Sequence, residues 1–221
     1  VDQLSSIWQE AKGMNLKTAM SCFTLVFAFL LGGCATLQPK PPVDRTTVNP
    51  GTSVSRGGKS LALSGTPISK GKPLPSVAMV DAMTMKEVDL SQERGQILFL
   101  SIVPSVDTKV CEAQTHTLGE EGDRLPASIQ RITISRDLPF AQKRFAEEAN
   151  LTDLRYLSDY KAGDFGKATG LLVDEMKLLA RAVVIVDRQG LVRYIQVVPE
   201  ITHLPDMETA FEKAIELAKE K

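Results

Sequence analysis

The sequence predicts an α/β domain with a central mixed sheet flanked by helices, preceded by a leader and a tether. Three observations predict it. Gln96 to Val103, QILFLSIV, is almost entirely apolar and β-rich, the pattern of a central strand buried on both faces. Met207 to Lys219, METAFEKAIELAK, places Met207, Phe211, Ile215 and Ala218 on one helical face. Between these two, strand-like and helix-like segments alternate and end in a hairpin and a closing helix. A mixed sheet with helices on both faces satisfies that order.

The elements follow in turn from the N-terminus. Residues 14 to 34 read as a signal peptide: a lysine, an apolar run from about Met20 to Leu31, then small residues. The run is short for a membrane span, which takes about 17 to 25 residues. Its end, Leu31-Gly32-Gly33-Cys34, resembles the bacterial lipobox, which implies that Cys34 is the lipid attachment site and first residue of the mature protein. An uncleaved anchor or a buried apolar segment is the alternative. Ala35 follows, rather than the aspartate linked to inner-membrane retention in enteric bacteria. The expected address is therefore the periplasmic side of a bacterial membrane, the outer membrane in preference, or the cytoplasm if the leader is not functional. Met14 is a candidate start, which makes the first thirteen residues an extension. Residues 35 to 57, rich in Pro, Thr, Ser and Gly, read as a flexible tether with little apolar surface to bury. The folded domain is expected over 58 to 221.

Within that domain, Lys59 to Leu63 reads as a strand or hairpin arm and Ser76 to Val80 as a short strand. Glu87 to Leu90 begins a further element. Pro104 stops the central strand. Cys111 to Arg124 reads as a helix with Asp107 or Thr108 near its cap. Ile129 to Ser135 is a strand, Pro139 to Ala149 has helical spacing, and Arg155 to Leu157 reads as a short edge strand. Phe165 to Leu171 is a short helix or turn. Ala182 to Val186, AVVIV, is a clear strand, and Leu191 to Val198 pairs back after the Asp187–Gly190 turn.

Composition narrows the function. The 221 residues carry a net charge of -1, which gives no pull toward nucleic acid or anionic membrane. Neither GxGxxG nor GxxxxGK[ST] occurs, so nucleotide binding has no support in the sequence. Cysteines stand only at 22, 34 and 111, and histidines only at 116 and 203. That set fits neither a disulfide scaffold nor a metal spacing.

Cys111 lies just beyond the carboxyl end of the central strand, where α/β sheets bind ligands, and in the first turn of a helix. Helix N-terminal amides favour a thiolate over a thiol. Thr108, three residues earlier, can aim its hydroxyl at the same pocket or serve only as an N-cap. Pro104 shapes the loop or merely ends the strand. Arg181, immediately before AVVIV, is a thiolate partner or an ion-pair former at the rim. Cys111 itself can equally be a small buried hydrophobe. His116 falls off the helical face of Cys111, so no Cys–His pair is expected, and no hydrolase triad is readable.

Pro104-x-x-x-Thr108-x-x-Cys111 matches the active-site pattern of the peroxiredoxin family, and SIVPSVDTKVC resembles its bacterial thiol peroxidase branch. The likeness continues through RITISRDLPFAQKRF (131–145) and LLARAVVIVDRQGLVRYIQVVPEIT (178–202), and covers most of 58 to 219. The resemblance implies a thioredoxin-like fold with an N-terminal β-hairpin, and a homodimer. It implies a peroxide substrate and no cofactor, with a thiol such as that of a thioredoxin-like protein as reductant. It implies that Cys111 attacks the peroxide and forms a sulfenic acid. Thr108 would then orient the peroxide, Pro104 screen the pocket, and Arg181 support the thiolate and the transition state. One departure stands out. Family members carry a resolving cysteine where this chain has Ala146, and no cysteine follows Cys111. That predicts a one-cysteine mechanism using an external thiol, or alternatively a redox-sensing or binding relative without efficient turnover. A thioredoxin-type CxxC route is disfavoured, because residues 108 to 111 read TKVC.

Overall fold

The computed structural model describes residues 40–220, and the folded unit begins at Pro41. The leader, Met14, Cys22, Cys34 and the start of the tether lie outside the described residues. The strands are β1 (Val43–Asp44), β2 (Ser53–Arg56), β3 (Lys59–Ser64), β4 (Met79–Asp81), β5 (Glu87–Val88) and β6 (Ile97–Ile102), followed by β7 (Ile129–Ser135) and β8 (Arg155–Ser158). After them come β9 (Leu172–Val173), β10 (Leu178–Leu179), β11 (Ala182–Val186), β12 (Val192–Val197) and β13 (Leu204–Pro205). The helices are α1 (Lys109–Glu120), α2 (Pro139–Glu148), α3 (Asp164–Thr169) and α4 (Met207–Lys219).

The main sheet has seven strands in the order β12-β11-β6-β7-β8-β4-β5. Strands β6, β7 and β8 run parallel, joined through α1 and α2, and the remaining pairs are antiparallel. Every residue of β6 is buried, as its continuous apolar run requires. Leu98, Leu100 and Ile102 face one core, and Ile97 and Phe99 face the other. The second core is covered by α1, α2 and α4, with Phe99 and Phe211 packed at 5.3 Å between ring centroids. The first is covered by α3, through Phe165, and by a four-stranded antiparallel sheet, β10-β9-β3-β2. The central mixed sheet, the flanking helices and the N-terminal hairpin expected of a thioredoxin-like fold are all present. The hairpin closes at Gly57-Gly58, φ +59° and +82°, the two positive-φ residues that a type I′ turn demands.

Two expectations are corrected. Strand β8 is not at an edge: it pairs with β7 on one side and β4 on the other. The chain between β3 and β6 returns to add β4 and β5 outside it, a non-local pairing that no four-residue segment announces. The tether, expected to reach residue 57, is folded from Pro41 onward. Its β1 pairs with β13, Val48 N–H donates to the Val197 carbonyl at 3.1 Å, and Val54 is buried. Backbone bonding to an otherwise open edge holds this segment, so a low apolar content does not keep it free.

Candidate active site

Pairing brings the site together. Strand β11 runs antiparallel to β6 with Ala182 opposite Ile102. Arg181, just before β11, therefore lies at the same end of the sheet as Pro104, just after β6. Helix α1 starts at that end. Thr108 is its N-cap, in an extended conformation, and its side chain accepts from the Cys111 N–H. The cap fixes the first turn, which carries Cys111.

The Cys111 side chain has no exposed surface. Its Sγ accepts from Thr108 Oγ1 at 2.9 Å and from Arg181 Nη2 at 3.3 Å. Arg181 is 2% exposed. It also donates from Nε to the Ile201 carbonyl at 2.9 Å and from Nη1 to Gln114 Oε1 at 2.8 Å. Gln114 in turn donates to Ser101 Oγ at 2.8 Å, which fixes the amide's orientation. Among the described residues no carboxylate pairs with Arg181. A guanidinium taken out of water at a cost of several kcal/mol therefore has one candidate counter-anion beside it, the sulfur of Cys111. A thiolate there would accept two charge-stabilising donors at once.

The loop between Pro104 and Thr108 is tied down from outside. Asp137, between β7 and α2, accepts from Ser105 Oγ, from the Val106 N–H and from Ser135 Oγ at 2.6 to 2.7 Å. A pocket of about 330 Å³ opens over this loop. Buried Pro104, Arg181 and Ile201 form its inner lining, with Met176 and Leu178 of the β9–β10 hairpin as apolar wall. Exposed Thr108, Arg56 and Thr202 stand at its mouth. Glu200 lies beside that mouth. Its burial acts to raise its pKa, but hydrogen bonds from Thr202, Ser55 and the Gly57 N–H outweigh it and hold the carboxylate below its usual range.

All four residues singled out from the sequence, Pro104, Thr108, Cys111 and Arg181, thus meet in one place. His116 does not join them; it lies between Glu112 and Glu120 on the outer face of α1. Ala146 is fully buried in the same core cluster as Cys111. Sequence reasoning missed Gln114, Asp137, Arg56 and the Ile201 carbonyl. Gln114 carried a usable signal, since it stands three residues after Cys111 on the same helical face. The others reach the site only through long-range pairing.

Comparison with known proteins agrees with this geometry. The family profile described as Redoxin matches residues 69–211. A thiol peroxidase of Halalkalibacterium halodurans is 39% identical over 167 residues, covering 76% of this chain and 97% of that protein. Among solved structures, a peroxiredoxin-like protein from Aquifex aeolicus superposes with a TM-score of 0.71 at 31% identity, over 78% of this chain and 99% of that one. A thiol peroxidase from Chromobacterium violaceum, 22% identical, shares the fold with a TM-score of 0.68 over 76% of this chain and 98% of its own.

Proposed function

The chain belongs to the redoxin family and is a thiol peroxidase of the peroxiredoxin type, and from that premise we propose that Cys111 is its peroxidatic cysteine and that it works without an internal resolving cysteine. The observation that carries the reading is the pair of donors on Cys111 Sγ, the Thr108 hydroxyl and the carboxylate-free Arg181 guanidinium.

A peroxide entering the pocket takes the place of these donors' contact with sulfur. The Cys111 thiolate forms a bond to one peroxide oxygen as the O–O bond breaks. The other oxygen leaves with the bonding pair, takes up a proton and departs as water or an alcohol. Sulfur is oxidised to the sulfenic acid and the peroxide is reduced. The Thr108 hydroxyl orients the peroxide, Arg181 stabilises negative charge as it develops on the leaving oxygen, and Pro104 closes the inner wall against water. Hydrogen peroxide and organic hydroperoxides both satisfy this step.

No cysteine follows Cys111, Cys22 is lost with a cleaved leader and Cys34 could resolve Cys111 only if it were not lipidated, so resolution is assigned to an external thiol. An external thiol, such as that of a thioredoxin-like protein, attacks the sulfenic sulfur, releases water and leaves a mixed disulfide. A second thiol of the reductant then displaces Cys111. A protein thiol cannot reach a fully buried sulfur, so the first turn of α1 moves at this stage, against the hold of Asp137 on the preceding loop.

The homodimer expected from the resemblance has apolar surface to use beside this loop, in exposed Leu138 and Phe140. The lipid anchor at Cys34 and the periplasmic address rest on the lipobox-like sequence, and labelling of cells with a fatty-acid analogue tests them. The catalytic proposal is tested by thiol-dependent peroxide consumption. Cys111→Ser abolishes it, while Cys22→Ser and Cys34→Ser retain it. Survival of turnover without Cys111 rejects the mechanism.

A further inference from the structure

The pocket over the Pro104–Thr108 loop, lined by the two residues that donate to Cys111 Sγ, pairs apolar walls with a cation at its mouth, and nothing in the peroxidase reaction with hydrogen peroxide uses that cation. We propose that Arg56 is a specificity-determining residue that recognises an anionic group, a carboxylate, on an apolar organic hydroperoxide. The inference rests on the proposed role of Cys111 and names the substrate class of that same site.

Three observations converge. Arg56 ends β2, immediately before the Gly57-Gly58 turn, and lines the pocket from its exposed side. Among the described residues its guanidinium has no hydrogen-bond or ion-pair partner, whereas Arg124, Arg131, Arg155 and Arg193 each hold a carboxylate. Glu200, the acid in reach of the same turn, is already occupied by Ser55, Gly57 and Thr202 rather than by Arg56.

The pocket's apolar lining suits the rest of such a molecule. Met176, Leu178 and Ile201 offer apolar contact but no donor that would favour a small, fully hydrated peroxide. A hydroperoxide with a hydrocarbon chain would bury that chain against them and leave its carboxylate at the mouth. Arg56 meets it there as a planar fork suited to two carboxylate oxygens. Hydrogen peroxide has neither handle. The chemical step is the one written above, with the alkoxide oxygen leaving and taking a proton, so Arg56 acts on binding alone.

The test uses the full chain with Cys22 and Cys34 replaced by serine, so that Cys111 reports alone. Its oxidation is followed by quenched flow with three probes: an 18-carbon fatty-acid hydroperoxide below its micellar concentration, the methyl ester of the same molecule, and hydrogen peroxide. The readout is the ratio of second-order rate constants, acid over ester. We expect a ratio of about two to five, the range an ion pair in water supports, falling as ionic strength rises. Arg56→Ala brings the ratio to about one, Arg56→Lys keeps most of it, and Arg56→Glu inverts it. A ratio of one in the parent protein, or one that Arg56→Glu leaves unchanged, overturns the inference. Failure of hydrogen peroxide to oxidise Cys111 at all instead overturns the peroxidatic reading on which it stands.

Discussion

Arg181→Met separates catalysis from folding. The substitution removes a buried guanidinium and three hydrogen bonds, to the Ile201 carbonyl at 2.9 Å, to Gln114 Oε1 at 2.8 Å and to Cys111 Sγ at 3.3 Å. Two buried acceptors lose a donor, at about 1 to 3 kcal/mol each. Against that, a charge with no carboxylate partner no longer has to be kept out of water, which returns several kcal/mol. The two effects oppose, and the net stability change is expected within about 2 kcal/mol in either direction. The rate has no such compensation. Losing one preorganised donor to charge that develops in a transition state costs about a hundred- to a thousandfold. Arg181→Lys keeps the charge but not the three-way fork, and is expected to fall between, at about tenfold. The one tryptophan, Trp8, stands upstream of the apolar run at about 20–31, far in sequence from the site. Oxidation is therefore followed by quenched-flow alkylation and mass spectrometry, with urea unfolding alongside. A folded Arg181→Met protein that oxidises within about threefold of its parent would refute the assignment of Arg181.

Three further outcomes follow from the same geometry. Thr108→Val loses the N-cap bond to Cys111 N–H, about 1 kcal/mol of stability, and loses peroxide reactivity by a larger factor; Thr108→Ser restores both, and equal losses in stability and rate would leave Thr108 a cap only. The Glu200 carboxylate has its pKa lowered on folding, so it adds stability above its unfolded value of about 4.5, and that stability is lost as pH falls through the lower folded value. Glu200→Gln removes this part of the acid dependence, and identical acid-unfolding curves for the two proteins would contradict it. Ala146→Cys places a thiol where the family has its resolver, and after peroxide treatment a peptide map is expected to show a disulfide between Cys111 and the introduced thiol; its absence would mean that α1 and α2 do not open toward each other.

The sequence carried the parts of the fold that have strong periodic signals. Strands β7 and β11 and helix α4 run over the same residues that their apolar patterns mark, Ile129–Ser135, Ala182–Val186 and Met207–Lys219. The β9–β10 hairpin and the β1–β13 pair were not visible, since strands of two residues have no period to read and exist only through their partners. The tether misled for a related reason: Pro, Ser and Thr content reports side-chain burial, while residues 41 to 48 are held by backbone bonds to β12 and β13. At the site, Pro104, Thr108 and Cys111 are close in sequence and announce each other. Arg181 was legible because it directly precedes a buried strand. Asp137 and Arg56 were not, since each depends on a register or turn that local sequence does not state.

The most direct test of the account is intact-mass analysis of the full chain with Cys22 and Cys34 replaced by serine, treated with one equivalent of peroxide and a sulfenic-acid trap, with no reductant present. A single trap adduct on Cys111 is expected and, with the trap omitted and peroxide raised to excess, slow progress to the sulfinic acid. A folded protein that keeps its Cys111 thiol unmodified through that treatment contradicts it.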